Sequence, residues 1–316
     1  MIKLKNLFLF TLLIIAQPIH STWSNGFIPQ VKIPNYIINH KRFAGALCFF
    51  GLVIPALLFI IYKKYSNQKE TIQKKSVRGV KKRKKLTEKE KKKLDNNLLE
   101  AAMENKLEEV KQLLEKGADP NKKDEPGNIS LHYAVIEGNI EIARLLLANN
   151  ANISEKNKDD RTMLDMAATG GHIEMVKFLL DRGVDIDEKG EGGSTALYGA
   201  TVMDKREMVE LLLDKGAKPN IPNEYGFAPL HTAVGHGEKI ISENLINKGA
   251  EVNQQSKNGS TPLHRAVEHP SWDTPADIKM VKFLVENGAD PTIKNEAGFA
   301  PIHYAEPNSE IAKFLK

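Results

Sequence analysis

From residue 94 onward the apolar positions return at a fixed spacing. Leu131, Leu164, Leu197, Leu230 and Leu263 stand 33 residues apart, and Ile302 follows after 39. A second column, Gly117, Asn150, Gly183, Gly216, Gly249 and Gly288, keeps the same step. Two columns in register over this length mark a repeat protein. Within one unit, Leu263, Ala266 and Val267 fall at i, i+3 and i+4 and make one apolar helical face. Val209, Leu211, Leu212 and Leu213 form a second apolar run that stops at Gly216, a residue free to take the left-handed conformation that ends helices. Each unit is therefore expected to be two short antiparallel helices and a turn-rich finger. Neither helix can bury its face alone, so the units must stack. The expected fold class is all-α.

The start of each unit adds detail. Thr261-Pro262-Leu263-His264-Arg265-Ala266 returns as Ala228-Pro229-Leu230-His231-Thr232-Ala233 and Ala300-Pro301-Ile302-His303-Tyr304-Ala305. Thr261 is a good N-cap, its hydroxyl able to accept from an orphan backbone N–H. Pro262 follows at the first helical position, where its missing N–H costs nothing. With its 33-residue period, this motif resembles the ankyrin repeat. Two units depart from it: Thr162-Met163-Leu164-Asp165 and Thr195-Ala196-Leu197-Tyr198 lack both proline and histidine, and less sharply started first helices are expected there. The resemblance implies a solenoid of about seven units, at residues 94–125, 126–158, 159–191, 192–224, 225–257, 258–296 and 297–316. The first is degenerate, with Leu98 and Ala101 one period before Leu131 and Ala134. The six-residue insertion falls between the two helices of the sixth unit, around His269–Pro275, and carries Trp272.

The residues before the array have a different pattern. Lys3 and Lys5 precede the apolar run Leu7–Ala16, so residues 1–24 read as a signal peptide or an uncleaved anchor. A short polar segment at 25–42 follows. Phe43–Tyr62 is twenty residues without a charge, matching a ~30 Å hydrocarbon core at a helical rise of ~1.5 Å per residue. A transmembrane helix is expected at 43–62. Three basic residues lie between residue 17 and this span and 15 lie in 63–93, which places the C-terminal side in the cytoplasm. Cleavage of the first segment gives a single-pass protein and retention gives a two-pass one, with the repeats cytoplasmic in both.

Charge divides the chain. Subtracting +5 for residues 1–62 and +12 for 63–93 from the total of +5 leaves −12 on residues 94–316. The 63–93 linker is expected to hold anionic lipid headgroups through Lys63, Lys64, Lys81, Lys82, Arg83, Lys84 and Lys85. Nuclear targeting or nucleic-acid binding is disfavoured, since a span tethers the chain and no aromatic residues interleave with Lys81–Lys85. The linker could also fold back and mask the acidic repeats. Cys48 is the single cysteine, so no internal disulfide forms.

No catalytic constellation is evident. His132, His231, His264 and His303 recur at the repeat position, and in ankyrin-like units this histidine is expected to hydrogen-bond within the turn. His172, His236 and His269 lack metal-ligand spacing. Gly190-Glu191-Gly192-Gly193 lacks the lysine of a phosphate loop. No enzyme, metal, cofactor or small-molecule substrate is therefore expected. What the resemblance implies is a concave protein-binding face built from finger tips and first helices. Its candidates are Lys123, Asp124, Asp160, Glu191, Tyr225 and Asn258 at the tips, with Tyr133, Ile136, Met166, Met203, His236 and Arg265 on the helices. The expected function is a membrane-anchored scaffold or adaptor whose partner is a protein, basic if the array's charge guides it. The other reading is an effector of an intracellular microbe that binds host proteins at a membrane.

Overall fold

Helices pair off along the chain. The computed structural model describes residues 87–268 and 277–316, and these lie within the unit Lys85–Lys316. The pairs are α1 (Glu88–Met103) with α2 (Leu107–Glu115), α3 (Ser130–Ile136) with α4 (Ile140–Ala148), and α5 (Met163–Gly170) with α6 (Ile173–Leu180). They continue with α7 (Ala196–Val202) and α8 (Arg206–Asp214), α9 (Pro229–Gly235) and α10 (Lys239–Asn247), and α11 (Pro262–Val267) and α12 (Ile278–Glu286). A 3-10 turn, Pro301–Tyr304, and α13 (Glu310–Phe314) complete the array. Among the described residues there is no strand. Residues 1–24, 25–42 and 43–62 and the linker up to residue 86 lie outside the described part, so the expected signal or anchor, the span and Lys63 through Lys85 do too. Among the described residues no helix is long and apolar enough to cross a membrane.

The stacking follows from side-chain size. Ala101, Ala134, Ala167, Ala200, Ala233 and Ala266 occupy one column of the first helices and are all buried. Their small side chains let neighbouring first helices approach closely. The second helices face one another with larger groups, among them Met175, Phe178, Met208 and Leu212. First helices accordingly pack on one another more tightly than second helices do. Leu98, Leu131, Leu164, Leu197, Leu230 and Leu263 are essentially inaccessible and join one continuous core.

The helix ends are set residue by residue. Gly117, Asn150, Gly183, Gly216, Gly249 and Gly288 all take positive φ, between 67° and 93°. Asn150 does so without being glycine, as asparagine tolerates better than most residues. The two units without proline and histidine start as sharply as the others. Thr162 Oγ1 accepts from Asp165 N–H at 3.1 Å, and Thr195 Oγ1 accepts from Tyr198 N–H at 3.3 Å. Thr261 does not cap in the expected way. Its own N–H donates to His264 Nδ1 at 3.1 Å, and its hydroxyl lies 2.8 Å from the same nitrogen.

The array also begins earlier than residue 94. Thr87 and Glu90 form a capping box: Thr87 N–H donates to Glu90 Oε2 at 2.8 Å, and Glu90 N–H donates to Thr87 Oγ1 at 3.2 Å. Residues 88–93, expected in the linker, are thus the first turns of α1. Lys91 reinforces them, reaching Asp95 at 2.8 Å and the Gly117 carbonyl at 2.8 Å. In the sixth unit, α11 and α12 are joined by residues 268–277, where α3 and α4 need only 137–139. The insertion therefore falls between the helices, and Trp272 lies outside the described residues.

An asparagine ladder ties fingers together and was not part of the sequence expectation. Asn121 donates to the Asn150 carbonyl at 2.8 Å and accepts from Asn152 N–H at 2.7 Å. Asn220 does the same to Gly249 and Glu251 at 2.9 and 2.8 Å, and Asn253 to Gly288 and Asp290 at 2.9 and 2.8 Å. Each side chain thus holds the helix stop of the next unit. Asp187, in the same column, has no amide to donate and only accepts from Lys218 N–H at 3.0 Å.

Two outcomes test this packing. A Cβ on Gly199 would sit 2.6 Å from Asp165 Oδ1 and 2.9 Å from Thr169 Cγ2, so Gly199→Ala should lower stability by about 1–3 kcal/mol in urea unfolding. Asn220→Ala, which removes two bonds between units, should cost about 1–2 kcal/mol in the same measurement.

Candidate functional site

The finger-tip candidates are mostly tied to neighbouring side chains and backbone. Lys123 Nζ lies 2.6 Å from Glu155 Oε1 of the next finger, and this bond holds the Glu155 carboxyl below its ordinary range. Asp124 accepts from Asn128 N–H at 2.7 Å and also from the Tyr133 hydroxyl. Burial, together with that bond, raises the Tyr133 phenol. Asp160 sits 3.7 Å from Lys156, and Glu191 sits 3.8 Å from Arg161. Asn258 accepts from the Ser256 hydroxyl at 2.6 Å and Ser260 N–H at 3.2 Å. Tyr225 is the large apolar group among them, at 63% exposure.

On the first helices, Met166 is not at the surface. It is 3% exposed, because α5 lies close on α7, where Gly199 presents no side chain to hold the helices apart. The Arg161–Asp165 pair at 2.9 Å and the Arg161–Thr169 bond at 2.9 Å draw the same region shut. Ile136, Met203 and His236 are exposed and Arg265 is half-buried. The sequence reading passed over Met103 and Val202, which are exposed to 49% and 36%. Both stand in the Ile136 column, counted back and forward by the 33-residue step, so the signal was present in the spacing.

Val202, His236 and Arg265 flank a groove of about 300 Å³ between α7, α9 and α11. It is lined by Tyr198, Val202, Phe227, Thr232, His236 and Arg265, with His231 beneath them. Asn223 Nδ2 holds the Tyr198 hydroxyl at 3.0 Å. The Phe227 and His231 rings meet edge to face at 5.6 Å, and the Arg265 guanidinium lies over Phe227 at 5.5 Å. Arg265 is kept in place by Glu268 at 3.0 Å. The arrangement offers shape, ring faces and one cation, which serve binding rather than bond making. Among the described residues no group of three His, Cys, Asp or Glu side chains is placed to hold a metal ion.

The family model described as ankyrin repeats (3 copies) matches residues 98–190, 156–223, 197–295 and 239–316. The chain belongs to the ankyrin repeat family. The crystal structure of the ankyrin repeat domain of Bcl-3, described as a unique member of the IkappaB protein family, is similar in fold. The TM-score is 0.59 at 27% sequence identity, over 69% of this chain and 97% of that one. No curated protein matches the chain.

The ankyrin histidines have a structural task that their surroundings explain. His132, His231, His264 and His303 each accept at Nδ1 from the backbone N–H three residues earlier, at 3.0 to 3.1 Å. The proton is thereby left on Nε2. His231 Nε2 reaches the Ser260 carbonyl at 3.1 Å and His264 Nε2 the Phe299 carbonyl at 3.0 Å, each in the following finger. In His231 and His264 the motif histidine therefore starts its own helix and clamps the next unit, whereas His132 Nε2 is buried without a hydrogen-bond partner. Burial pushes His132 and His231 down to about 4, and His264 in the same direction.

Acid should consequently loosen the ankyrin array. The unfolded histidines titrate near 6.5 while the buried ones resist protonation down to about 4. Over that interval the unfolded chain binds more protons, so stability is full above pH ~6.5 and is lost as pH falls. Asp165, raised by burial, works in the opposite sense at the acid end. Urea unfolding between pH 7 and 4 should show a loss of about 1.4 kcal/mol per pH unit for each fully shifted histidine. Replacing His231 by Gln should flatten that slope.

Proposed function

We propose that this chain is a membrane-anchored adaptor whose ankyrin array grips a protein partner on its inner face. Ankyrin repeats are protein-interaction modules. The observation that carries the reading is the exposed apolar series on that face. Ile136, Val202, Met203 and Tyr225 are 36–63% accessible on a scaffold whose other large apolar groups are mostly covered. Tyrosine and methionine are side chains that interfaces favour.

The anchor rests on the sequence. Phe43–Tyr62 has the length and apolar character of a span, and the basic residues of 63–86 beyond it suit a cytoplasmic surface rich in anionic lipid. In this arrangement the array hangs from the membrane by its N-terminal end, and recruitment raises the partner's concentration at the bilayer. The net charge of −12 on residues 94–316 favours a basic partner surface.

The test has two arms. Pull-down by the full chain carrying Met203→Ser and Tyr225→Ser together should recover its partner at least about tenfold less well than the natural sequence. Undiminished recovery would remove the inner face from consideration. Protease added to the outside of intact cells should leave the array uncut and membrane-associated. An array found free of membranes would defeat the anchor, and one found in the membranes of a host cell would favour the microbial effector.

A further inference from the structure

Neighbouring fingers are joined backbone to backbone, with one exception. Lys158 N–H donates to the Pro126 carbonyl at 3.0 Å, Glu224 N–H to Gly192 at 2.8 Å, Lys257 N–H to Tyr225 at 3.1 Å and Glu296 N–H to Asn258 at 3.0 Å. Each bond links equivalent places in successive fingers. The 33-residue step puts the remaining member of the series between Glu191 N–H and the Asp159 carbonyl, and there no such bond forms. This joint lies between the finger that leads into α5 and the finger that leads into α7.

The same joint lacks the other two ties. Ser154 stands in the ladder column between Asn121 and Asp187 and is too short to copy the asparagine. The Gly183 carbonyl and Asp185 N–H, which an asparagine would take there, have no hydrogen-bond partner among the described residues. Asp165 stands at the place of the motif histidine, and it pairs with Arg161 of its own unit at 2.9 Å instead of reaching the next finger. What crosses the joint is charged. Lys156 Nζ donates to the Lys189 carbonyl at 2.6 Å and lies 3.5 Å from Glu188, and Arg161 lies 3.8 Å from Glu191. The Lys156 and Arg161 side chains are 28% and 31% exposed. Below the fingers the helices are close: Gly199 lets Asp165 and Thr169 approach α7, and Met166 is buried.

We propose that this joint is a clasp: its two fingers part when the Lys156 and Arg161 contacts weaken, while α5 and α7 stay packed and act as the pivot. Attraction between partly exposed charges is screened by salt, whereas the neutral backbone and asparagine bonds of the other joints are not. Parting changes the separation of Asp160 and Glu191, which stand at the two tips, and lets one array fit partners of different breadth. The clasp requires neither an anchor nor a particular partner, so it stands or falls independently of the adaptor reading.

The experiment reads distances between paired nitroxide labels by double electron–electron resonance in the full chain carrying Cys48→Ser. One pair, Asp159→Cys with Ser194→Cys, spans the clasp without touching its charged contacts. A second, Tyr225→Cys with Lys257→Cys, spans a backbone-bonded joint, and a third, Glu174→Cys with Glu207→Cys, reports on α6 and α8. Raising NaCl from ~0.1 M to ~1 M shortens the screening length from about 10 Å to about 3 Å. The ratio of far to near separations across the clasp should then rise about tenfold, the effect of weakening both charged contacts together. The other two pairs should keep their distributions. Lys156→Gln should give the open distribution already at low salt, and Ser154→Asn, which supplies the absent ladder step, should hold the clasp shut at both concentrations. A clasp distance unmoved by salt would overturn the proposal, and so would an equal response at the second pair, which means general loosening. Lengthening at the third pair would show whole units separating and would defeat the pivot. A Lys156→Gln chain that stays closed at low salt, or a salt response that survives Ser154→Asn, would also defeat it.

Discussion

The controlling constraint is that no helix in this array can cover its own apolar side. A seven-residue helix such as α3 buries Leu131, Ala134 and Val135 only because α1 stands on one side of it and α5 on the other. Stability is therefore a property of neighbours, close to a sum of unit and interface contributions. The two ends of the array meet this constraint differently. At the N-terminal end α1 is lengthened by a capping box and by Lys91, which spans from Asp95 to the Gly117 carbonyl. At the other end the first helix shrinks to a 3-10 turn, and Phe299 and Phe314 are left 48% and 41% exposed.

The same constraint explains where polar groups are buried. A motif histidine with Nδ1 committed to its own helix start and Nε2 to the next finger satisfies two units with one ring. Burying such a ring favours its neutral form. Where histidine is absent, Asp165 and Tyr198 occupy its position and other partners do the work: Arg161 pairs with Asp165, and Asn223 reaches back to Tyr198. The array thus tolerates different chemistry at one position because only the joining of units is required there.

Recognition, in turn, uses what stacking leaves over. Lys123, which joins two fingers, and Asp124, which is bonded within its own, spend their charge internally. The available surface is the side of the first helices that faces away from the neighbours, and there the units differ most. A close contact at Gly199 buries Met166, whereas a groove opens between α7, α9 and α11.

The repeat period, the helix pair, the αL stop at each unit end and the histidine's place in the turn were all legible from residues 94–316, because each depends on neighbours at fixed sequence offsets. The Thr87–Glu90 capping box was also written in the chain, but the surrounding lysines made it look like linker. Tertiary structure alone decided which candidates reach solvent. Met166, Tyr133 and Arg265 share one column and one expectation, yet one is buried, one is bonded to Asp124 and one walls a groove. Their fates depend on the size of the residue facing them across the stack. Spacing along a chain names that neighbour but does not say how closely the two backbones will approach.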